Sequence, residues 1–446
     1  MKERVLPFVK VAGYAFAVRM LAAGVTFGAN VLLARYLGPA EYGIYSYMVA
    51  LALLLATSVT FGGDTTALKI TAQSTLGERP LLRQFFITSC TYVLALSAFV
   101  GVVAALVLCG SDIGGYSTSS VLFGLAAVPC IGVLGIACGG LQGLGSPVLA
   151  QSLLLLARPL AVGLGASLLF HIVGVAGNST TALALECVAA LLAMALAAGL
   201  LAKKLGPGIS WTESRGQSLI SFLRSGAGLL ALNIVQILLA QTGVLVLGLA
   251  QKPNDAGLYA AAARFSTMIS LGLAAINAVA APAIGRLQRA GDFEALQVTV
   301  STVARLSVVV ALPGAIVFAL FGKSLLLWVG PEFEAAYPAL VVLTLGQCVN
   351  SVTGCVVHVI VMSGQHRHAL RVMGTTAAAG VIGSIAVADV WGATGVAGVT
   401  ATAMATWNLI LAGWISRHLG IKMIAPFSWR VVTWRFMRQS RGNPLS

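Results

Sequence analysis

Residues Leu33–Tyr47 read LARYLGPAEYGIYSY, a short polar hinge between two long apolar runs. The stretch has an echo 214 residues further on, at Leu247–Ala261, which reads LGLAQKPNDAGLYAA. Leu33 falls on Leu247, Pro39 on Pro253, Gly43 on Gly257 and Tyr45 on Tyr259, and Glu41 falls on Asp255, acid for acid. The shift is close to half of the 446 residues. We read it as an internal duplication, with two homologous halves that each open on a helix, this hinge and another helix.

The surroundings of the hinges set the class. The chain is 58% hydrophobic and 9% charged, where a soluble domain carries roughly 25% charged residues. The expected fold is an all-α integral membrane protein. A crossing needs about 20 apolar residues, and twelve such runs are found. Six lie near 11–34, 42–63, 85–109, 121–141, 148–170 and 181–202, and six near 227–250, 256–282, 301–322, 337–361, 370–389 and 394–416. The expected organisation is an N-terminal six-helix lobe (1–202), an inter-lobe linker (203–225), a C-terminal six-helix lobe (226–416) and a basic tail (417–446). The lobes are related by a pseudo-two-fold axis along the membrane normal, because six crossings restore the starting side. Duplicated halves of this kind in a membrane chain point to a transporter.

The charges sort by side. With the N-terminus in the cytoplasm, inner segments collect 21 of the 27 Lys and Arg residues, and outer segments hold Arg35, Lys252 and Lys323. The outer segments also hold Glu41, Asp112, Asp255, Glu332, Glu334 and Asp389. This asymmetry predicts both termini inside and both hinges outside. It also accounts for the net charge of +14 without any nucleic-acid partner. Lys2, Arg4 and Lys10 precede an apolar run as in a signal peptide, but Arg19 interrupts it, so an uncleaved first span is expected. The tail interleaves Trp429, Trp434 and Phe436 with Arg430, Arg435 and Arg438, as suits anchoring to anionic membrane lipid.

Several motifs are structural in expectation. Seven cysteines lie mostly in apolar runs without ligand spacing, so neither a disulfide framework nor a metal site is expected. Gly135, Gly139 and Gly143 form a small-residue packing face. Pro129, Pro159, Pro282 and Pro313 can kink their helices. No phosphate-binding Gly-rich loop occurs, and no cofactor is implied.

Five ionisable residues remain at membrane depth: Arg19, Arg158, Arg264, Asp64 and Glu186. An intramembrane arginine persists where water or a partner meets it. Arg19 lies nine residues past Lys10, and Arg264 nine residues past Asp255 from the other side, so both reach similar depth. Amides in the same layer, among them Asn30, Asn233, Gln236 and Asn277, can bind hydroxyl groups. Arg158 and Glu186 stand on adjacent spans and can equally meet as a structural ion pair. Asp64 and Glu186 are the candidates for coupling to an ion, although Asp64 also stands close enough to Lys69 to pair with it.

The hinge residues Leu37, Gly38, Pro39, Glu41, Tyr42 and Gly43 resemble a turn of the polysaccharide flippases in the multidrug/oligosaccharidyl-lipid/polysaccharide exporter superfamily. There the first span ends in Leu-Gly-Pro followed by an acid, an aromatic and Gly. The Arg158–Pro159 pair also resembles a recurring feature of the exopolysaccharide branch. The second hinge departs from the pattern, with Gln251-Lys252-Pro253. The resemblance implies movement of a polyprenyl-pyrophosphate-linked oligosaccharide from the inner to the outer leaflet of a bacterial plasma membrane, with a polysaccharide polymerase and chain-length machinery as partners. Arg19, Arg264 and Arg158, with Asn30, Asn233, Gln236 and Asn277, are then the candidate substrate-binding residues. A drug/cation antiporter of the same superfamily would want intramembrane acids, and here three arginines face two acids. A membrane polymerase or glycosyltransferase would want a sizeable outer loop, and the longest here is roughly 322–336.

Overall fold

A computed structural model describes residues 2–74, 79–110, 116–206 and 219–423. The described chain is helical, with α1 (Lys2–Thr60), α2 (Gly63–Gln73), α3 (Arg79–Gly110), α4 (Thr118–Gly143), α5 (Pro147–Ile172) and α6 (Ser179–Leu205) in the first half. The second half contributes α7 (Leu219–Leu249), α8 (Pro253–Ala290), α9 (Phe293–Val329), α10 (Tyr337–Thr353), α11 (Val356–Met362) and α12 (His366–His418). Among the described residues, ten helices are long and apolar enough to cross a membrane. Two of the ten, spanning 45 and 53 residues, are about twice the length of a crossing. Each bends at a glycine with non-helical backbone, Gly38 (φ 71°, ψ 172°) in the first and Gly392 (φ 50°, ψ −139°) in the last. Divided there, they bring the segments to twelve, six in each half.

Gly38 turns α1 because a positive φ is open to glycine and strained for other residues. Pro39, with its fixed φ and missing N–H, then starts the second segment as proline starts a helix. The second hinge uses Gln251 at φ 55°, followed by Pro253 at the start of α8. The two hinges pack on one another reciprocally. A methyl group on Gly43 would overlap the carbonyl oxygen of Pro253, and one on Gly257 would overlap the carbonyl oxygen of Pro39. Reciprocal contact of equivalent residues is the signature of a two-fold interface.

The 214-residue register holds beyond the hinges. The Tyr45 hydroxyl donates to Glu186 Oε2 at 3.1 Å, and the Tyr259 hydroxyl meets Thr400 Oγ1 at 3.2 Å. Both pairs span 141 residues. Glu41 Oε2 accepts from the Ser179 N–H at 2.6 Å, at the start of α6. Its counterpart Asp255 lies against Gly392, where a Cβ would come within 2.8 Å of the carboxylate. The two hinge acids therefore seat the same later turn in each half.

The cores divide by depth. One cluster at the hinge end draws on both halves, with Leu33, Tyr42 and Tyr47 beside Leu247, Tyr259 and Phe333. Two further clusters each belong to one half, one around Val59, Phe86 and Leu141, the other around Ile284, Val359 and Ile415. The halves thus join at the hinge end and keep separate cores at the far end. The glycine face of α4 packs on α2, with Gly139 against the Asp64 carbonyl and Gly143 against Thr71 and Leu68.

Local departures from the expected spans have local causes. The expected span 337–361 breaks at Gly354 (φ 67°, ψ −110°) into α10 and α11. α5 contains two π-helical turns, Ser152–Ala157 and Ser167–Ile172, on either side of Arg158–Pro159. Pro129, Pro282 and Pro313 are carried inside helices. Helix also runs into both ends of the expected linker, to Leu205 and from Leu219. The aromatic and basic tail lies outside the described residues.

The hinge packing predicts that Gly43→Val lowers folded yield, since the added volume meets backbone and exceeds the ~1–3 kcal/mol of ordinary overpacking. Gly24→Val, where nothing lies within 4 Å, is the control and should accumulate normally. Yield and thermal unfolding of the detergent-solubilised protein measure both. Normal yield of Gly43→Val would remove the structural role.

Candidate functional site

Arg19 and Arg264 line one cleft between the halves, about 260 Å³ in volume, with α1 on one side and α8 on the other. Leu155 of α5 closes one flank, and Thr26 and Thr267 add hydroxyl groups. Toward the hinge end the cleft is roofed by Phe27 from the first half and Phe265 from the second, edge to face at 5.0 Å. Phe265 in turn meets Phe318 at 6.2 Å.

Each arginine is held by neutral groups. Arg19 Nε donates to Gln151 Oε1 at 3.3 Å. Arg264 lies beside Tyr42, whose hydroxyl donates to Asn30 Oδ1 at 3.0 Å, while Asn30 Nδ2 donates to the Thr26 carbonyl at 2.7 Å. Arg158–Glu186, Lys252–Asp389 and Lys323–Glu334 pair elsewhere, and neither cleft arginine forms an ion pair among the described residues. Two guanidinium groups facing one apolar-walled cleft make it electropositive. Each offers a planar fork that can bind two oxygens of a phosphate at once.

Arg158 stands elsewhere. It follows the first π-helical turn of α5, and its Nε meets Glu186 Oε1 at 2.8 Å. Glu186 is 5% exposed and also accepts from Tyr45. Of the two readings open for this pair, the structure has the ion pair. Gln236 lines a different cavity, about 310 Å³, inside the second half with Asn350, Thr400 and Trp407. Asn233 lines neither cavity. Asn277 is buried on α8, with its Oδ1 unpartnered among the described residues, and is also outside the cleft. Asp64 lies at the far end of the first half, in the first turn of α2. It is absent from the ion pairs among the described residues, and Lys69 points to solvent.

Sequence reasoning missed Gln151 and Tyr42 as neighbours of the two arginines, and the contact of Phe27 with Phe265 across the halves. Only Tyr42 carried a signal, as the aromatic residue of the hinge.

The profile of the family described as "Polysaccharide biosynthesis protein" matches residues 8–288. The chain belongs to that family. The match takes in all of α1 through α7 except the first residues, and most of α8, so both hinges and both cleft arginines fall inside it. None of the curated protein sequences matches. Solved structures share the fold. A multidrug resistance MATE family transporter of the MOP superfamily, in an inward-facing conformation, superposes with a TM-score of 0.66 at 14% identity, over 92% of this chain and 98% of the other. The lipid II flippase MurJ, in an inward closed conformation, gives a TM-score of 0.71 at 12% identity, over 90% of this chain and 87% of the other. The multidrug transporter DinF-BH gives 0.62 at 14% identity, over 93% and 95%. These are transporters and a flippase, not enzymes. The chain is a multi-pass membrane protein of their fold.

The Arg158–Glu186 pair yields a double-mutant test. Glu186→Leu alone leaves Arg158 uncompensated and should destabilise by about 3–5 kcal/mol. Arg158→Met together with Glu186→Leu should recover most of that loss. Thermal unfolding of the wild type, the Glu186→Leu and Arg158→Met single variants and the double variant measures it. A Glu186→Leu protein as stable as the wild type would show that the pair does not hold α5 to α6.

Proposed function

We propose that the chain is a flippase for a polyprenyl-pyrophosphate-linked oligosaccharide, working by alternating access in the bacterial plasma membrane with both termini in the cytoplasm. The observation that carries this reading is the cleft with two unneutralised arginines, one from each half. A pyrophosphate brings two or more negative charges, and the cleft offers two forks with no competing acid. On this reading the charge asymmetry assigns the far end, where the halves keep separate cores, to the cytoplasm. The lipid-linked sugar is made on that side under this reading. The polymer then belongs to exopolysaccharide, capsule or O-antigen synthesis, with a polymerase and chain-length machinery acting after the flip.

Gln151, Thr26 and Asn30 offer neutral groups to the first sugar. A role for Arg158 in substrate contact is weaker, since Glu186 already satisfies it. Drug or cation exchange is disfavoured by the same cleft, because a cationic substrate would meet two fixed positive charges.

Arg19→Ala and Arg264→Ala should each abolish transport while leaving the protein in the membrane at normal level. Arg19→Lys should recover part of it, because the charge survives and the bidentate fork does not. The double alanine variant should be little worse than either single one, as expected of groups that act as a unit. Cell-surface polysaccharide in a flippase-deleted strain is the readout, with protein level measured in parallel. Full surface polymer in both single variants would sink the proposal.

A further inference from the structure

The second half holds a cavity of about 310 Å³ between α7, α10, α11 and the two segments of α12. Gln236 of α7, Asn350 of α10, and Thr400 and Trp407 of α12 line it, and none of the described residues in its wall is charged. In the 214-residue register, Gln236, Asn350 and Trp407 fall on Ala22, Ile136 and Ala193, all apolar and buried. Thr400 falls on Glu186, which pairs with Arg158. The first half thus fills these places with apolar side chains and a salt bridge. The second half keeps a space walled by neutral polar groups.

Those groups are held in place and partly unspent. Behind the wall, the Thr353 hydroxyl donates to Asn408 Oδ1 at 2.9 Å, and Asn408 Nδ2 donates to Asn350 Oδ1 at 3.3 Å. Asn408 is buried, so Asn350 is anchored from the core. An amide nitrogen carries two hydrogens, and Asn350 Nδ2 makes one contact, to Gln347 Oε1 at 3.5 Å. The Tyr259 hydroxyl meets Thr400 Oγ1 from the other side. The Gln236 amide and the Trp407 N–H have no hydrogen-bond partner among the described residues. Gln236 and Ala240 are exposed, so the cavity is open along α7, which also packs on α1 of the first half.

This lining selects by chemistry. A cation finds no carboxylate in it and a phosphate finds no base. Neutral amides and a hydroxyl beside an indole suit a ligand that is uncharged and rich in hydroxyl groups. A pyranose ring has hydroxyls around its rim and C–H bonds on its faces. Trp407 presents an apolar ring with one N–H donor, and each amide offers both a donor and an acceptor to neighbouring hydroxyls. The volume stands at the lower end of the range for small-molecule pockets, about 300–1,000 Å³, which suits one ring rather than a whole oligosaccharide.

We propose that Gln236, Asn350, Thr400 and Trp407 form a binding site for an uncharged pyranose ring inside the second half. On the function proposed above, that ring is a sugar of the carried oligosaccharide. Its identity is then read here, apart from the cleft that holds the pyrophosphate.

The test is a saturation-transfer NMR titration of the purified full-length protein in phospholipid nanodiscs, free of glycoside detergent. The probes are the methyl glycosides of glucose, galactose, mannose and N-acetylglucosamine, and at least one should bind saturably. Ala240→Phe, which fills the cavity from an exposed position, should weaken binding at least about ten-fold, equivalent to 1.4 kcal/mol. Gln236→Leu, which breaks no hydrogen bond among the described residues, should weaken it several-fold. Thr402→Val, at an exposed position of α12 outside the cavity wall, should bind as the wild type does. Inorganic pyrophosphate, the probe for the cleft, should not displace the glycoside, whereas the same sugar on a polyprenyl pyrophosphate should. No saturable binding of any of the glycosides to the wild type overturns the proposal. Unchanged affinity in both Ala240→Phe and Gln236→Leu, an equal loss in Thr402→Val, or displacement by pyrophosphate does the same. Failure of the lipid-linked sugar to displace the glycoside overturns the assignment to the carried lipid and makes a free sugar the ligand. If Ala240→Phe does not fold, Gln236→Leu and Trp407→Phe decide it, and unchanged affinity in both overturns it. Transport is tested separately at Arg19 and Arg264, so either reading can fail alone.

Discussion

The fold depends on a contact between two backbones. Gly43 rests on the carbonyl of Pro253 and Gly257 on that of Pro39, with no room for a Cβ at either place. This approach sets the distance between the halves at the hinge end. Everything near it is shared, including the cluster of Leu33, Tyr42 and Tyr47 with Leu247 and Tyr259. Away from it each half closes on its own core. The cleft under the Phe27–Phe265 roof follows from that geometry. Lobes that share a core at one end and keep separate cores at the other leave a space between them, and α1 and α8, which cross at the contact, become its walls.

On this symmetric frame the chemistry is asymmetric. Tyr45 and Tyr259 occupy equivalent places and reach equivalent positions, yet the first finds Glu186 and the second Thr400. The carboxylate in the first half brings Arg158 with it, while the second half keeps a neutral cavity beside Thr400. Arg19 and Arg264 are not repeat equivalents either, since the position matching Arg19 is Asn233. The break at Phe61–Gly62 has no counterpart in α8. Duplication supplies two lobes that fit together, and the side chains that depart from it give each lobe its own polar contacts.

Much of the frame was legible in the sequence because it rests on local signals. Apolar runs of membrane length, Gly and Pro at fixed offsets and the repeat register each survive an error of a few residues. The pairing of Arg19 with Arg264 was legible for a related reason, since depth depends only on distance along a helix. Azimuth was not legible. Each residue turns a helix by about 100°, so an amide at the right depth can face the cleft, another cavity or the core. Asn30 stands next to the cleft, Gln236 faces a separate cavity, and Asn277 is buried elsewhere. The π-helical turns of α5 shift the facing of Arg158 in a way that no periodicity reveals. The roles of Glu41 and Asp255 at Ser179 and Gly392 depend on contacts across more than a hundred residues, and only their shared offset hinted at them.

On the reading proposed, the two arginines set the charge of what moves through the cleft. The most direct measurement is transbilayer movement in proteoliposomes holding the purified protein and a fluorescent polyprenyl-pyrophosphate-linked sugar, with a cationic dye in parallel vesicles. The pyrophosphate lipid should cross faster than in protein-free vesicles, and the dye should not. Movement of the dye, with the pyrophosphate lipid left in its original leaflet, would contradict it.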